Sequence, residues 1–222
     1  MSTHSPDASA ETVRKWVEEC FDRLLTQDHV AAMKRCDVVY LPSRETDSGR
    51  YIVNVLNKTY TVELGSRSVL ELTTGRAAGE KLSYVILEYL MGWGTPVVQQ
   101  DVWQSMETLT AQPPYKYHYQ KFVIRPLERL FGYDKELFAS VSTSLGGKSE
   151  KLGGVAYSFK FLPKIKSLVQ LWVGSSQELT KPRINTSFNR MALNFLRETP
   201  LLFVFEVLVQ FMEKEAKKKR SR

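Results

Sequence analysis

The amino-acid sequence predicts an α+β fold, in which helices and antiparallel strands come in separate blocks. Near the start of the chain, apolar residues recur every three to four positions, as on one face of a helix. At about 38–72 and again at about 155–173 they instead alternate with polar residues, which is typical of strands. We therefore expect two blocks of antiparallel strands, with N-terminal helices before them and helices on one face.

Two helices open the predicted fold. The first is predicted by the apolar face at 13–25, and either Asp7 or Ser9 can cap its first turn. The second is short, with Asp28 as its cap and 29–35 as its body. In each case a short polar side chain can accept hydrogen bonds from the first turn of the helix.

The first strand block follows where the apolar period changes to two. A strand is predicted at 38–41, and β-rich runs follow at 51–56 and 59–64. The two residues Asn57-Lys58 between these runs fit a hairpin turn. A further run at 69–72 completes the block, so we expect four strands here.

The helical period then returns in the middle of the chain. Helices are predicted at 79–91, 115–131 and 134–145. A kink is expected at Pro126, because proline lacks the N–H that would bind the preceding turn. Gly146-Gly147 is expected to end the third of these helices.

The second strand block is predicted at 155–162 and 165–173, with a loop at 174–186 after it. Two helices, at 187–197 and 200–216, close the predicted fold. We find no internal repeat and no long polar linker.

This organisation predicts a disordered tail at 1–10, a single α+β domain at 11–212 and a basic tail at 213–222. The ten residues of the basic tail hold six basic and two acidic side chains, so they supply +4 of the net charge of +7. The remaining chain is nearly balanced and shows no broad basic footprint. We therefore do not expect nucleic acid as the main partner.

The sequence also indicates the cellular compartment of the protein. The N-terminus has no basic segment followed by an apolar one, so no signal peptide is predicted. The longest apolar stretch, 201–212, is interrupted by Glu206 and Gln210 and is shorter than the roughly 20 residues that a membrane span needs. We expect a cytoplasmic protein without a membrane span, whose two cysteines, Cys20 and Cys36, are reduced and buried.

No catalytic or cofactor motif stands out. Two cysteines are too few for an iron–sulfur cluster, and the three histidines have no partner at metal-ligand spacing, so no metal and no cofactor is expected. The segment 75–83 has three residues between its glycines where a phosphate-binding loop needs four, and Glu80 follows the second glycine. It is interpreted as a turn that opens a helix.

A cluster of amphipathic rings is the clearest candidate site. Tyr115, His118 and Tyr119 fall on one helical face, where they can pack with their polar tips at the rim or form the wall of a ligand pocket. Under the second interpretation, the predicted pocket combines aromatic and polar residues from position 103 onward: Trp103, Tyr115, His118, Tyr119, Tyr157, Trp172, Asn189 and Glu198.

An ordered series of segments resembles a known family. The segments are Arg125–Gly132, Leu145–Gly147, Ala156–Pro163, Val169–Gly174 and Ser187–Leu196. Together they are similar to the domain of unknown function 3786, found mainly in anaerobic bacteria and archaea, over most of the chain. Some members resemble fusions with the iron–sulfur domain of corrinoid proteins. The resemblance thus implies a role near anaerobic corrinoid or iron–sulfur metabolism, with any cluster held by a partner.

The chain also departs from this family. The resemblance implies aspartates near Gly154, Ser175 and Asn189, and a Glu-Asp pair near 198–199, most of which are absent here. Those acids could form a polar site that this chain has lost, or they could cap loops and helices, which Asn and Ser also do.

Three functions remain open from the sequence. The first is a ligand-binding or accessory domain without catalysis, acting on a small molecule or a protein partner. The second is an enzyme with an acid–base pair such as His118 and Glu198. The third is a nucleic-acid or anionic-surface contact through a cluster that could equally be a solvated helix end: Lys217, Lys218, Lys219 and Arg220.

Overall fold

A computed structural model describes residues 4–43, 49–92, 102–175 and 177–221. Helices and two antiparallel sheets, of four and five strands, make up this part of the chain. The predicted α+β class is confirmed. Buried side chains from the helices and from both sheets form one apolar core.

The first two helices begin where their caps predict. Helix α1 (Ala10–Leu25) starts after Ser9, whose hydroxyl accepts a hydrogen bond from the N–H of Thr12 at 3.1 Å. Helix α2 (His29–Cys36) starts after Asp28, whose carboxylate accepts from Ala31 N–H at 3.0 Å. In both cases a short polar side chain satisfies a donor that the helix leaves unpaired.

The first sheet joins β1 (Val39–Leu41), β2 (Arg50–Val55), β3 (Lys58–Glu63) and β4 (Ser68–Glu71) in sequence order. The β2–β3 turn is Leu56-Asn57, one residue earlier than predicted. Leu56 adopts a positive φ of 54°, and its N–H donates to a carbonyl of the second sheet at 3.0 Å. This contact between sheets fixes the turn, and the local sequence does not reveal it.

The central helices surround a local distortion. Helix α3 (Glu80–Met91) is followed, beyond residues that are not described, by β5 (Trp103–Ser105) and the one-turn α4 (Met106–Leu109). Then α5 (Pro113–Tyr119) continues through a π-helical turn into α6.

A π-helical turn lies where the sequence predicts a kink. It spans Gln120–Ile124, directly before α6 (Arg125–Phe131), which contains Pro126. The proline ring would collide with the carbonyl four residues earlier, and the wider turn makes room for it. Helix α7 (Lys135–Ser144) then starts after its cap, Asp134.

The second sheet has the order β5-β9-β8-β7-β6. Besides β5 it contains β6 (Lys148–Glu150), β7 (Val155–Leu162), β8 (Ile165–Trp172) and β9 (Arg183–Asn189). The strands predicted at 155–173 are thus the two longest of the sheet, and its other strands come from segments that we had not predicted as strands.

Strand β9 corrects the prediction of a loop at 174–186 and a helix from 187. Residues 183–189 pair with β8 on one side and β5 on the other, and Phe188 is fully buried. A 3₁₀ turn, Arg190–Asn194, takes the place of the middle of the expected helix. Pairing on both edges outweighs the helical spacing of the apolar residues.

Helix α8 (Glu198–Arg220) runs through the core and contacts α3, α6 and α7. Residues 213–220, predicted as the start of a basic tail, continue this helix as far as it is described. Ala216 is fully buried, so the helix still packs against the body within this segment.

Residues 4–9, which the sequence places in a disordered tail, contact the body of the protein. The His4 ring stacks on Trp16 with ring centroids 4.0 Å apart, and the hydroxyl of Thr199 donates to the His4 carbonyl. The N-terminal segment thereby connects α1 to the start of α8.

Candidate functional site

The structure does not gather the predicted pocket residues in one place. Trp172 lies at one end of β8, whereas Asn189 binds the N–H of Lys166 near the other end. Along β8, Trp172 and Lys166 are six residues apart, which corresponds to about 20 Å of strand. Trp103 pairs with Asn189 and so belongs to the second end.

Asn189 has a structural role. Its Oδ1 accepts from the N–H of Lys166 at 2.7 Å, and its Nδ2 donates to the carbonyl of Lys164 at 3.1 Å. The side chain is buried and holds the β7–β8 turn against the end of β9. Both ends of the amide are therefore used within the protein.

Two of the predicted tyrosines are also packed internally. The hydroxyl of Tyr119 lies 2.9 Å from that of Thr186, and burial raises the pKa of Tyr119 to about 12. Tyr157 packs edge-on against Phe138 of α7, at 5.6 Å between centroids. These rings match the interpretation in which aromatic bodies pack and polar tips find partners.

His118 lies inside a chain of charged groups, which we call the charge network: Asp7, His118, Glu206 and Lys81. Nδ1 of His118 is 2.7 Å from Asp7 Oδ1, and its Nε2 is 2.5 Å from Glu206 Oε1. The second oxygen of Glu206 accepts from Lys81 Nζ at 2.5 Å. Glu206 and His118 side chains are each only 3% exposed.

The hydrogen bonds of the network engage every polar atom of the His118 ring. Both ring nitrogens of His118 face carboxylate oxygens. The ammonium of Lys81 also lies 4.5 Å from the ring centroid of Phe203, which adds a cation–π contact.

The acidic partner of His118 differs from the one in the predicted acid–base pair. Glu206 fills that place, and Glu198 lies eight residues earlier on α8, or about 12 Å along the helix axis. With both ring nitrogens engaged, His118 has no free nitrogen for a substrate. The sequence carries one signal for Glu206, because it is an acid inside the apolar run 201–212.

The first cavity lies between α1, α3 and the start of α8 and has a volume of about 450 Å³. Tyr115 and Glu198 are the two predicted residues that line it. Its other charged residues, which were not predicted from the sequence, come from α1, from α3 and from the residue before α8: Glu19, Arg23, Glu88 and Arg197.

Glu88 is a largely buried charge of the first cavity, with 16% of its side chain exposed. Its Oε1 accepts from the Cys20 thiol at 3.4 Å and lies 3.6 Å from Arg23. Burial raises the pKa of Tyr84 well above its ordinary value, with the Glu88 charge as a further cause. The wall therefore combines fixed charges with a neutral phenol.

We expect His4, in the same wall, to titrate below the ordinary histidine pKa of about 6.5, because burial lowers its pKa. The unfolded chain then binds this proton more readily, so the contribution of His4 to stability is present above pH 6.5 and is lost on acidification. NMR titration, with the signal assigned by His4→Gln, measures this pKa. A peptide of residues 1–9 gives the reference value, and an equal or higher pKa in the protein would contradict the expectation.

Comparison with known proteins places the chain in a family. The family model described as "Domain of unknown function (DUF3786)" matches residues 28–211. The chain belongs to the DUF3786 family. No curated protein and no solved structure matched it.

The DUF3786 match covers only part of the features described above. Lys81, His118 and Glu206 lie inside the matched range, and Asp7 lies before it. Helix α1, which supplies Glu19 and Arg23 to the first cavity, also precedes the match. One wall of the cavity thus comes from residues outside the matched range.

In the described part of this DUF3786 chain, no group of three or more His, Cys, Asp or Glu side chains is arranged to hold a metal ion. Cys20 and Cys36 are free and buried, and burial raises the pKa of Cys36 to about 11. None of the described helices is both long and apolar enough to cross a membrane.

The basic cluster of the DUF3786 chain forms the last turn of α8: Lys217, Lys218, Lys219 and Arg220. Lys218 pairs with Glu215 at 3.1 Å, and Arg220 donates to the Leu130 carbonyl at 3.5 Å. Cations at this position also complement the helix dipole. These contacts are those of a solvated helix end.

Proposed function

We propose that this DUF3786 protein binds a small metabolite that carries both a positive and a negative group, such as an amino acid or a short peptide. One observation carries the proposal: the first cavity has carboxylates and guanidinium groups in the same wall. A zwitterion matches both kinds of charge, whereas a ligand of one sign would meet like charges.

The size of the first cavity supports this class of ligand. A volume of about 450 Å³ lies within the range of roughly 300–1,000 Å³ that is usual for small-molecule sites. A corrinoid, with its macrocycle and nucleotide tail, is much larger than the ligands of such sites. Any link to corrinoid or iron–sulfur metabolism would therefore run through a partner protein or a smaller metabolite.

Polar groups around the first cavity can orient such a ligand. The Tyr115 hydroxyl lies 3.1 Å from that of Thr199, and both point toward the His4 carbonyl. The carboxylates of Glu88 and Glu198 can receive an ammonium group, and Arg23 can donate to a carboxylate. We propose that binding takes place in the cytoplasm, since two unpaired cysteines are typical of a reducing compartment.

Calorimetric titration with the twenty amino acids and a set of dipeptides tests the proposal. We expect saturable binding of at least one compound and about tenfold weaker binding to Arg23→Gln, because a charged hydrogen bond is lost. Glu198→Gln should weaken binding of the ammonium end. Glu136→Gln is the matched control, since this exposed residue of α7 does not line the cavity.

Charge-deleted analogues make the test specific. The amide and the N-acetyl derivative of the best compound each lack one charge, so both should bind more weakly than the zwitterion. Equal binding of either derivative, or no binding of any compound at millimolar concentration, would rule out the proposed ligand class. Cyanocobalamin, folate and ATP serve as chemically different comparisons.

A further inference from the structure

A second cavity, of about 610 Å³, lies on another side of α3. It is bounded by the start of α1, by β3 and β4, by the start of α3 and by the later half of α8. Its apolar wall includes Val13, Leu82, Val207 and Phe211. The last two come from one face of α8, which continues to Lys214.

The charges that line the second cavity are mostly cationic: Lys58, Arg76, Lys81 and Lys214 against Glu71 and Glu80. Both acids are already paired. Glu71 accepts from Lys58 at 2.6 Å, and Glu80 accepts from Arg14 of α1 at 3.0 Å. Lys81 in turn is bound by the buried Glu206.

Two cations remain after this pairing. Within the described residues, the side chains of Arg76 and Lys214 take part in no hydrogen bond and no ion pair. Lys214 acts on Glu71 only through its longer-range field. The cavity therefore joins an apolar wall to two positive charges that no carboxylate of the described residues holds in an ion pair.

We infer that the second cavity binds an organic anion with an apolar body, namely a monocarboxylate of medium chain length. The carboxylate lies at Arg76 and Lys214, and the hydrocarbon packs along Val13, Val207 and Phe211. Burying the hydrocarbon chain against the apolar wall favours binding, and the two cations select the charged head.

The loop at 75–83 favours a carboxylate over a nucleotide. Residues 76–82 line the cavity, but this loop lacks the spacing of a phosphate-binding loop. The acidic Glu80 at the helix start would repel a polyphosphate. A single negative charge at the cationic side of the cavity avoids that repulsion.

The test uses octanoate as the probe, measured by displacement of 1-anilinonaphthalene-8-sulfonate, whose fluorescence reports apolar anion sites. Octan-1-ol has a similar hydrocarbon chain but no charge, and inorganic phosphate is charged but has no hydrocarbon chain. We expect octanoate to displace the dye at lower concentration than either compound.

Variants locate the site. Arg76→Gln and Lys214→Gln should each weaken octanoate binding about threefold, and the double variant about tenfold, as for partly exposed charge pairs. Lys135→Gln, at an exposed side chain of α7, is the matched control and should leave binding unchanged. Because Arg76 and Lys214 are exposed, these variants should keep their circular dichroism spectrum and melting temperature.

The inference is overturned if octan-1-ol displaces the dye as well as octanoate, if the double variant binds like Lys135→Gln, or if octanoate does not bind at millimolar concentration. Arg23→Gln, which alters the first cavity, should leave octanoate binding unchanged. Failure of one site can therefore be told apart from failure of the other.

Discussion

Glu206→Ala is expected to lower the free energy of unfolding by about 3–5 kcal/mol, because removing one partner of a buried ion pair leaves the others uncompensated. Glu206 binds both His118 and Lys81, each at 2.5 Å, and is itself 3% exposed. Urea unfolding followed by circular dichroism measures the effect. Glu206→Gln keeps the shape of the side chain and should cost less than alanine.

The same helix offers a matched control for Glu206. Glu213 pairs with the exposed Arg129 at 3.6 Å, so Glu213→Ala should change the free energy of unfolding by no more than about 1 kcal/mol. A double-mutant cycle with Lys81→Ala should show a coupling of about 0.5–3 kcal/mol. Equal effects of Glu206→Ala and Glu213→Ala would mean that the charge network does not stabilise the fold.

Asn189→Asp is expected to cost about 3 kcal/mol at neutral pH, although it changes one group of atoms. One carboxylate oxygen would still accept from Lys166, but the other would face the Lys164 carbonyl, which is also an acceptor. Burying a charge adds to the cost. Chemical unfolding at pH 7 measures this loss of stability.

Acid should reverse the effect of Asn189→Asp. Burial would hold the pKa of the new carboxyl above its value of about 3.9 in the unfolded chain, and the protonated form can donate to the Lys164 carbonyl. The difference in free energy of unfolding between Asn189→Asp and the unmodified protein is therefore largest at neutral pH. It decreases as the pH falls through the folded-state pKa of the new carboxyl.

Two variants separate this effect from a general loss of packing. Asn189→Ala should show a loss of stability that acid does not reverse, because it adds no titratable group. Asn185→Asp makes the same change four residues earlier on β9, where the side chain is partly exposed, and should cost less. A loss of stability in Asn189→Asp that stays constant with pH would contradict the proposed geometry.

Local signals in the sequence were sufficient for several helices. Ser9, Asp28 and Asp134 each cap the helix that follows, since a cap acts within three residues of its own position. Strand β9 could not be predicted in this way, because its stability depends on pairing with β5, about 80 residues away.

The candidate site shows the same limit. Tyr115 and Glu198 were predicted and do line a cavity, but the sequence grouped them with Trp172 and Asn189, which lie at opposite ends of the second sheet. Helical spacing shows which residues share a face, and it does not show which faces meet. Glu206 was not predicted as the partner of His118, although a lone acid in an apolar run indicates a buried partner.

The charge network draws on four distant parts of the chain, from Asp7 to Glu206. Contacts of such long sequence separation close large loops, and their entropic cost delays them during folding. We therefore expect the network to be unformed in the folding transition state, so that it slows unfolding without speeding folding. In that case its main effect is on the lifetime of the native state.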